Sequence, residues 1–338
     1  MSVSYYQGGV SVVDFTDTDN IREVAYADAG GMAGAIGRLI VLAALLLAAA
    51  ALSACGGEDG SEERSGTPLA VPWLDPDGEF PIVGSLAVNP ADDRLWIASN
   101  TGLFRVPADG KEPVKVTGRL TTPDGAGKVS QQLVVRFTGP DRMLGSGHPA
   151  ADSTLPPVLG LIRSDDAGRT WTSVSELGTA DFHAIELSGD RLIGGLFGQA
   201  QVLVSGDGGR TWETRAAPRP LVDLEVDPDD ASQWVASTAD GLYVSRDEGG
   251  TWRAIDPTPN SYLAWAASDA LYRLDPGGPL MVSADAGASW KKLGSTGGEP
   301  QALVAADPTT LYAILLDGTV KRSADGGRTW SDEVTPPA

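Results

Sequence analysis

His148 and His183 are the two histidines of a 338-residue chain, and Asp181 stands two positions before His183. Two imidazoles and a carboxylate make a donor set for a transition metal ion or a polar ligand, provided the fold brings them together. Nothing in the sequence requires such an ion. The same residues also fit a plainer role, with His183 as a packed residue at the start of a strand and His148 as a loop anchor. Acid–base chemistry on a glycoside would need two facing carboxylates. Asp181 and Glu299 are the two that can be named, with Arg219 and Tyr262 in comparable positions nearby.

A repeat must position these residues. Ser164 to Trp171, Ser205 to Trp212, Ser245 to Trp252, Ser283 to Trp290 and Ser323 to Trp330 share the form S-x-D-x-G-x-[ST]-W, and their starts lie 41, 40, 38 and 40 residues apart. A fixed period of this size marks one supersecondary unit used repeatedly. Around each copy, short runs with period-2 alternation are split by Asp-Pro, Asn-Pro and Asp-Gly turns, the pattern of strands. The clearest stretch has Val222, Leu224 and Val226 alternating with Asp223 and Glu225, a turn at Asp227-Pro228-Asp229-Asp230, and three further strand-like runs at 233–237, 241–245 and 251–255. Four antiparallel strands per unit is a propeller blade. The expectation is an all-β propeller over 69–338 with six four-stranded blades, near 82–117, 129–177, 182–215, 222–255, 262–293 and 302–334. A seventh would need strands from Leu69 to Phe80. In the first blade the motif has decayed to Val106-Pro107-Ala108-Asp109-Gly110.

Each motif position has a structural reason. Glycine accepts turn dihedrals that side chains resist. An Asp carboxylate inside a tight turn (Asp166, Asp207, Asp247, Asp285, Asp325) can accept bonds from backbone N–H groups left without strand partners. The Trp (Trp171, Trp212, Trp252, Trp290, Trp330) opens the fourth strand and offers a large apolar surface between blades. One carboxylate per turn is a poor calcium cage, because calcium takes six to eight oxygens. The motif falls between the third and fourth strands. First-strand entrances and the loops between second and third strands share the opposite face, which carries His148, in the loop Ser146 to Pro157, together with Asp181, His183, Arg219, Tyr262 and Glu299.

These five turns resemble the Asp-box, or BNR, repeat family, which includes sialidases and other glycosidases, sortilin-like receptors and photosystem assembly factors, all of them propellers. Gly145-Ser146-Gly147-His148-Pro149, Leu159-Gly160-Leu161-Ile162, Asp181-Phe182-His183-Ala184 and Gly241-Leu242 look like a group of bacterial Asp-box lipoproteins classed with glycosyl hydrolases. Members of that group open blade one on His-x-His-Gly-Leu, where this chain has Pro81-Ile82-Val83-Gly84-Ser85-Leu86. The sialidase resemblance implies three arginines on a substrate carboxylate, a Tyr–Glu nucleophile pair and an acid Asp. Arg219, Tyr262, Glu299 and Asp181 supply fragments of that set. Phe104-Arg105-Val106-Pro107 resembles the sialidase Phe-Arg-Ile-Pro motif, but Arg105 falls in a third strand, away from the central channel.

A net charge of -20 without any basic cluster excludes nucleic acid, since nothing would neutralise phosphates. Leu39 to Leu52 is apolar, Arg38 precedes it, and Leu52-Ser53-Ala54-Cys55 follows. That is the plan of a secretory signal, and 14 apolar residues are short for a membrane span. The Leu-Ser-Ala-Cys ending resembles a bacterial lipobox, which implies that Cys55, the chain's single cysteine, is diacylated and becomes the mature N-terminus. Residues 32–54 then form the signal peptide, and 55–68 a polar tether. Residues 1–31 carry Asp14, Asp17, Asp19, Glu23 and Asp28 against Arg22 alone, unlike a signal n-region, so Met32 is the expected start. The sequence therefore describes a lipoprotein anchored on the extracytoplasmic side of a membrane. Its expected function is to bind a partner protein, a glycan, or a small ligand or metal on the face opposite the motif turns, the alternative being an exo-sialidase-like glycoside hydrolase.

Overall fold

The computed structural model describes residues 2–6, 9–14, 22–28, 82–107, 113–116, 118–122, 125–150 and 153–335. The signal peptide, Cys55, the tether, the stretch Leu69 to Phe80 and the decayed motif at 108–110 lie outside them. The chain forms two compact units, Met1–Ser65 and Gly66–Ala338. The first holds a three-stranded antiparallel sheet of β1 (Ser2–Tyr6), β2 (Gly9–Asp14) and β3 (Arg22–Asp28). Among the described residues no helix is long and apolar enough to cross a membrane.

The second unit is a propeller. Five blades are four-stranded antiparallel sheets, each made from consecutive strands. Blade one is β4 (Val83–Val88), β5 (Leu95–Ser99), β6 (Gly102–Arg105) and β7 (Val114–Val116). Blade two contains β8 (Gly118–Thr122), β9 (Gly125–Gly139), β10 (Arg142–Pro149), β11 (Leu161–Ser164) and β12 (Thr170–Ser175). Blade three is β13 (Phe182–Ser188), β14 (Arg191–Leu196), β15 (Gln201–Ser205) and β16 (Glu213–Ala216). Blade four is β17 (Leu221–Val226), β18 (Trp234–Thr238), β19 (Gly241–Ser245) and β20 (Arg253–Asp256). Blade five is β21 (Tyr262–Ala267), β22 (Ala270–Leu274), β23 (Pro279–Ser283) and β24 (Lys291–Ser295). Blade six is β25 (Pro300–Ala305), β26 (Leu311–Leu315), β27 (Val320–Ser323) and β28 (Ser331–Val334).

Blade two departs from the expected four strands. The 15-residue β9 pairs with β10 along one half and with β8 along the other, and β8 runs parallel to β12, closing the sheet on itself. The short run Gly118–Thr122 carries no signal that would separate it from a connection. His148 accordingly sits at the end of β10 rather than in a loop, paired opposite Gln131 of β9.

The core is six apolar clusters, one at each blade–blade seam. Trp96, Leu103, Leu120, Met143 and Trp171 fill the seam between blades one and two. Ile97, Phe104, Tyr312 and Ile314 fill the seam between blades six and one. The inner strands β4, β9, β13, β17, β21 and β25 are neighbours in that order, and β25 packs back on β4, so among the described residues the ring closes without strand exchange. Gln301 Oε1 also accepts the Val83 N–H across that closure, at 3.3 Å.

The repeated turn works as a closed unit in all five copies. The Ser hydroxyl donates to one Asp oxygen at 2.7–2.9 Å. That oxygen accepts the backbone N–H of the Thr or Ser four positions on at 2.8–3.0 Å. The other oxygen accepts that residue's hydroxyl at 2.6–2.7 Å. The motif glycine donates its N–H to the same Ser hydroxyl. Glycine is required there on two counts. Its φ lies between 78° and 83°, and at Gly209 and Gly327 an added Cβ would come within about 2 Å of Leu161 or Leu280 in the preceding blade.

Trp212 and Trp252 each reach back to the preceding blade, where their indole N–H groups donate to the Ser175 hydroxyl and the Ala216 carbonyl at 2.9 Å. Trp171 lies within β12, whereas the other four precede their fourth strand by one residue.

Candidate functional site

The two faces of the ring are fixed by recurring backbone bonds. Asn100, Phe197 and Leu316, each just past a second strand, donate to the carbonyls of Ile82, Asp181 and Glu299, each just before a first strand. Those residues share one face, the mouth. On the other face the motif turns pack on the loops between first and second strands, as in Ala167 N–H to Asp141, Glu248 N–H to Ser232 and Gly326 N–H to Thr309.

At the mouth, blades two and three bring His148, Asp181 and His183 together. Asp181 Oδ2 lies 3.6 Å from His148 Nε2 and 3.5 Å from His183 Nε2, and one donor atom from each of the three residues falls within 4.8 Å of the others. His148 and Asp181 are mostly buried, while His183 is 40 % exposed and stacks on Phe197 with ring centres 4.2 Å apart. Burial alone would push the Asp181 carboxyl up; the His183 and His148 rings outweigh that and hold it below its ordinary value. Its second oxygen, Oδ1, is buried with no hydrogen-bond partner. Among the described residues this is the group of histidine, cysteine and acidic side chains arranged to hold a metal ion.

Inside the mouth, a cavity of about 310 Å³ follows the ring axis, lined by inner strands of all six blades. Its polar residues include Arg136, Glu186, Asp223, Glu225, Tyr262 and His183, with Ser85, Asp93 and Gln301. Arg136 forms an ion pair with Glu186 across blades two and three. Burial pushes Glu186 up to about 7 against the pull of Arg136, with Asp223 adding to the rise. Burial pushes Asp223 up to about 6, although it accepts the N–H groups of Leu224 and Leu263 at 2.8 Å. Burial, helped by Glu186, also lifts Glu225 well above the usual carboxylate range. Glu186 Oε2 has no partner.

Sequence reasoning passed over these carboxylates. Asp223 and Glu225 alternate with buried Leu224 and Val226, which reads as an ordinary solvent-facing edge of a strand. In a propeller the polar side of an innermost strand faces the axial channel, so the signal lay in the strand's position within its blade.

The proposed catalytic fragments do not converge. Arg219 is exposed and held by Asp240 at 2.8 Å, outside the cavity lining. Glu299 lies outside the lining as well, and its carboxylate accepts the Gly277 N–H at 2.8 Å. Tyr262 does line the cavity; burial, with Asp223 and Glu299 adding to it, raises its hydroxyl to about 12, so it is a proton donor rather than a phenolate. Arg105 lines a groove between blades one and two on the motif side.

No protein-family model and no curated protein matches the sequence. Solved structures do resemble the chain. PorZ, a surface component of the type-IX secretion system of Porphyromonas gingivalis, is 13% identical over 81% of this chain and 39% of its own, with a TM-score of 0.50. YCF48 from Cyanidioschyzon merolae is 14% identical over 77% of this chain and 86% of its own, at 0.47. The GH74 enzyme of Niastella koreensis is 18% identical over 75% of this chain, at 0.48. The chain spans only 37% of that enzyme's length and 39% of PorZ's. At such identities the likeness is one of fold, and the fold is the β-propeller.

Proposed function

We propose that the chain is an Asp-box propeller lipoprotein, anchored through Cys55 outside the cytoplasmic membrane, that binds a partner protein with its mouth face. One observation carries this reading: the two faces are built differently. Of the four large apolar side chains exposed among the described residues, Ile82, Phe197 and Leu316 lie on the mouth face, and both histidines lie there too. On the other face the five motif carboxylates are used up within their own turns. Partly exposed aromatic and aliphatic side chains around a polar opening are the composition of a recognition surface.

Glycoside hydrolysis is the weaker reading, because Asp181 and Glu299 are each held by other groups and neither lines the cavity. Solubilised full-length protein should retain a partner from membrane extracts. The Phe197→Ser variant should lose it and Arg210→Ser, on the motif face, should keep it. The same preparation should leave a broad panel of aryl glycosides and sialosides intact. Turnover that disappears in Asp181→Asn would replace binding with hydrolysis as the function.

A further inference from the structure

We propose that His148, Asp181 and His183 form a three-ligand site for one divalent transition metal ion of the zinc class, with an open coordination position at the channel mouth. The inference rests on the mouth being the binding face. Pro157 decides the state of His148. Its carbonyl oxygen lies 2.7 Å from His148 Nδ1 and can only accept, so Nδ1 carries the proton. In the neutral ring Nε2 is then a lone pair, and it faces Asp181 Oδ2, a second acceptor, at 3.6 Å. Two acceptors held face to face repel each other unless a proton or a metal ion sits between them.

The spacing fits a metal ion. Ligands about 2.0–2.2 Å from a tetrahedral zinc lie about 3.3–3.6 Å from one another. Asp181 Oδ2 is 3.5 and 3.6 Å from the two imidazole nitrogens, and the donor atoms of all three residues lie within 4.8 Å of one another, so closing on an ion draws the two rings toward each other. An N–H of a ligating ring held by a backbone carbonyl is also the usual outer support of such sites, since it fixes tautomer and ring orientation. Phe197, stacked on His183, holds the third ligand. Three ligands from two blades leave the fourth position open toward solvent, on the side of the half-exposed His183. An oxygen or nitrogen donor of the bound partner would take that position, so metal and partner would be held together.

Full-length protein in detergent, stripped with chelator and dialysed against Zn²⁺, should take up one ion per chain by elemental analysis. His148→Ala and His183→Ala should each weaken that uptake by at least about 100-fold, beyond what loss of an outer-sphere partner costs. Co²⁺ should give the strong visible absorption of a four-coordinate site in wild type and not in His183→Ala. Because His183 is half exposed, His183→Ala should melt with the wild type in chelator, which separates ligand loss from misfolding. Uptake that is equal in wild type and both variants, or absent in wild type, overturns the proposal. Partner retention that is lost in Phe197→Ser but indifferent to chelator would overturn the joint holding of metal and partner and leave the binding face standing. Zinc uptake with no effect of Phe197→Ser on partner retention would do the reverse.

Discussion

Among the described residues, Arg136 is the only lysine or arginine lining the axial cavity, and three carboxylates share it. Burial works against its charge, and Glu186, Glu225 and Asp223 more than offset that, so it stays protonated. Replacing it with methionine leaves Glu186 enclosed without its counter-ion. Loss of one partner of an enclosed pair is costly, and because Arg136 is partly open to the channel a loss of about 2 kcal/mol is expected in denaturant unfolding. The loss should be larger at pH 8 than at pH 5.5. The sign follows from the raised pKa values. A carboxyl that binds its proton more tightly folded than unfolded favours the folded state below the folded value, about 7 for Glu186 and about 6 for Asp223. For the same reason the wild-type Tm should rise by several degrees as pH falls from 8 to about 5. A Tm that falls over this range would mean that the channel carboxylates are ionised and well solvated.

The turns titrate the other way. Thr211 and Thr329, through their backbone N–H and then their hydroxyl, hold Asp207 and Asp325 below the usual range, to about 2 for Asp325. Their contribution is complete above the unfolded value near 4 and is lost as pH falls through the folded one. Asp207→Ala should therefore lower Tm by a few degrees at pH 7, and the gap to wild type should close as pH drops toward 2. Gly327→Ala should cost about 2 kcal/mol or more at any pH, because both the left-handed backbone and the approach of Leu280 oppose a Cβ.

These elements were the legible part of the sequence. A motif of eight positions at a fixed period states turn, register and blade, and the alternation around it states the strands. The extra strand of blade two was not legible, because β8 is held by pairing with β9 and with a strand some fifty residues away, and no local pattern encodes that partner. His148, Asp181 and His183 could be placed on one face from topology alone. The carboxylates of the channel could not, since a polar residue facing an enclosed cavity and one facing bulk water look alike in a sequence.

The whole ring has one vulnerable seam. Among the described residues, blades six and one meet through the cluster of Ile97, Phe104, Tyr312 and Ile314 and the bond from the Val83 N–H to Gln301, not through a connecting segment. Ile314→Ala should cost about 2–4 kcal/mol, the usual toll of a large-to-small change in a sealed core. Calorimetry should still show one transition for the propeller, because opening that seam exposes both neighbouring blades at once. The direct test of the mouth face as the binding surface is photo-crosslinking in native membranes, with the reactive residue placed in turn at Phe197, Leu316, Val114 and Arg210. Crosslinked product from Phe197 and Leu316, with none from Val114 or Arg210, is the predicted result. Product from the motif-face positions at equal or greater yield would contradict it.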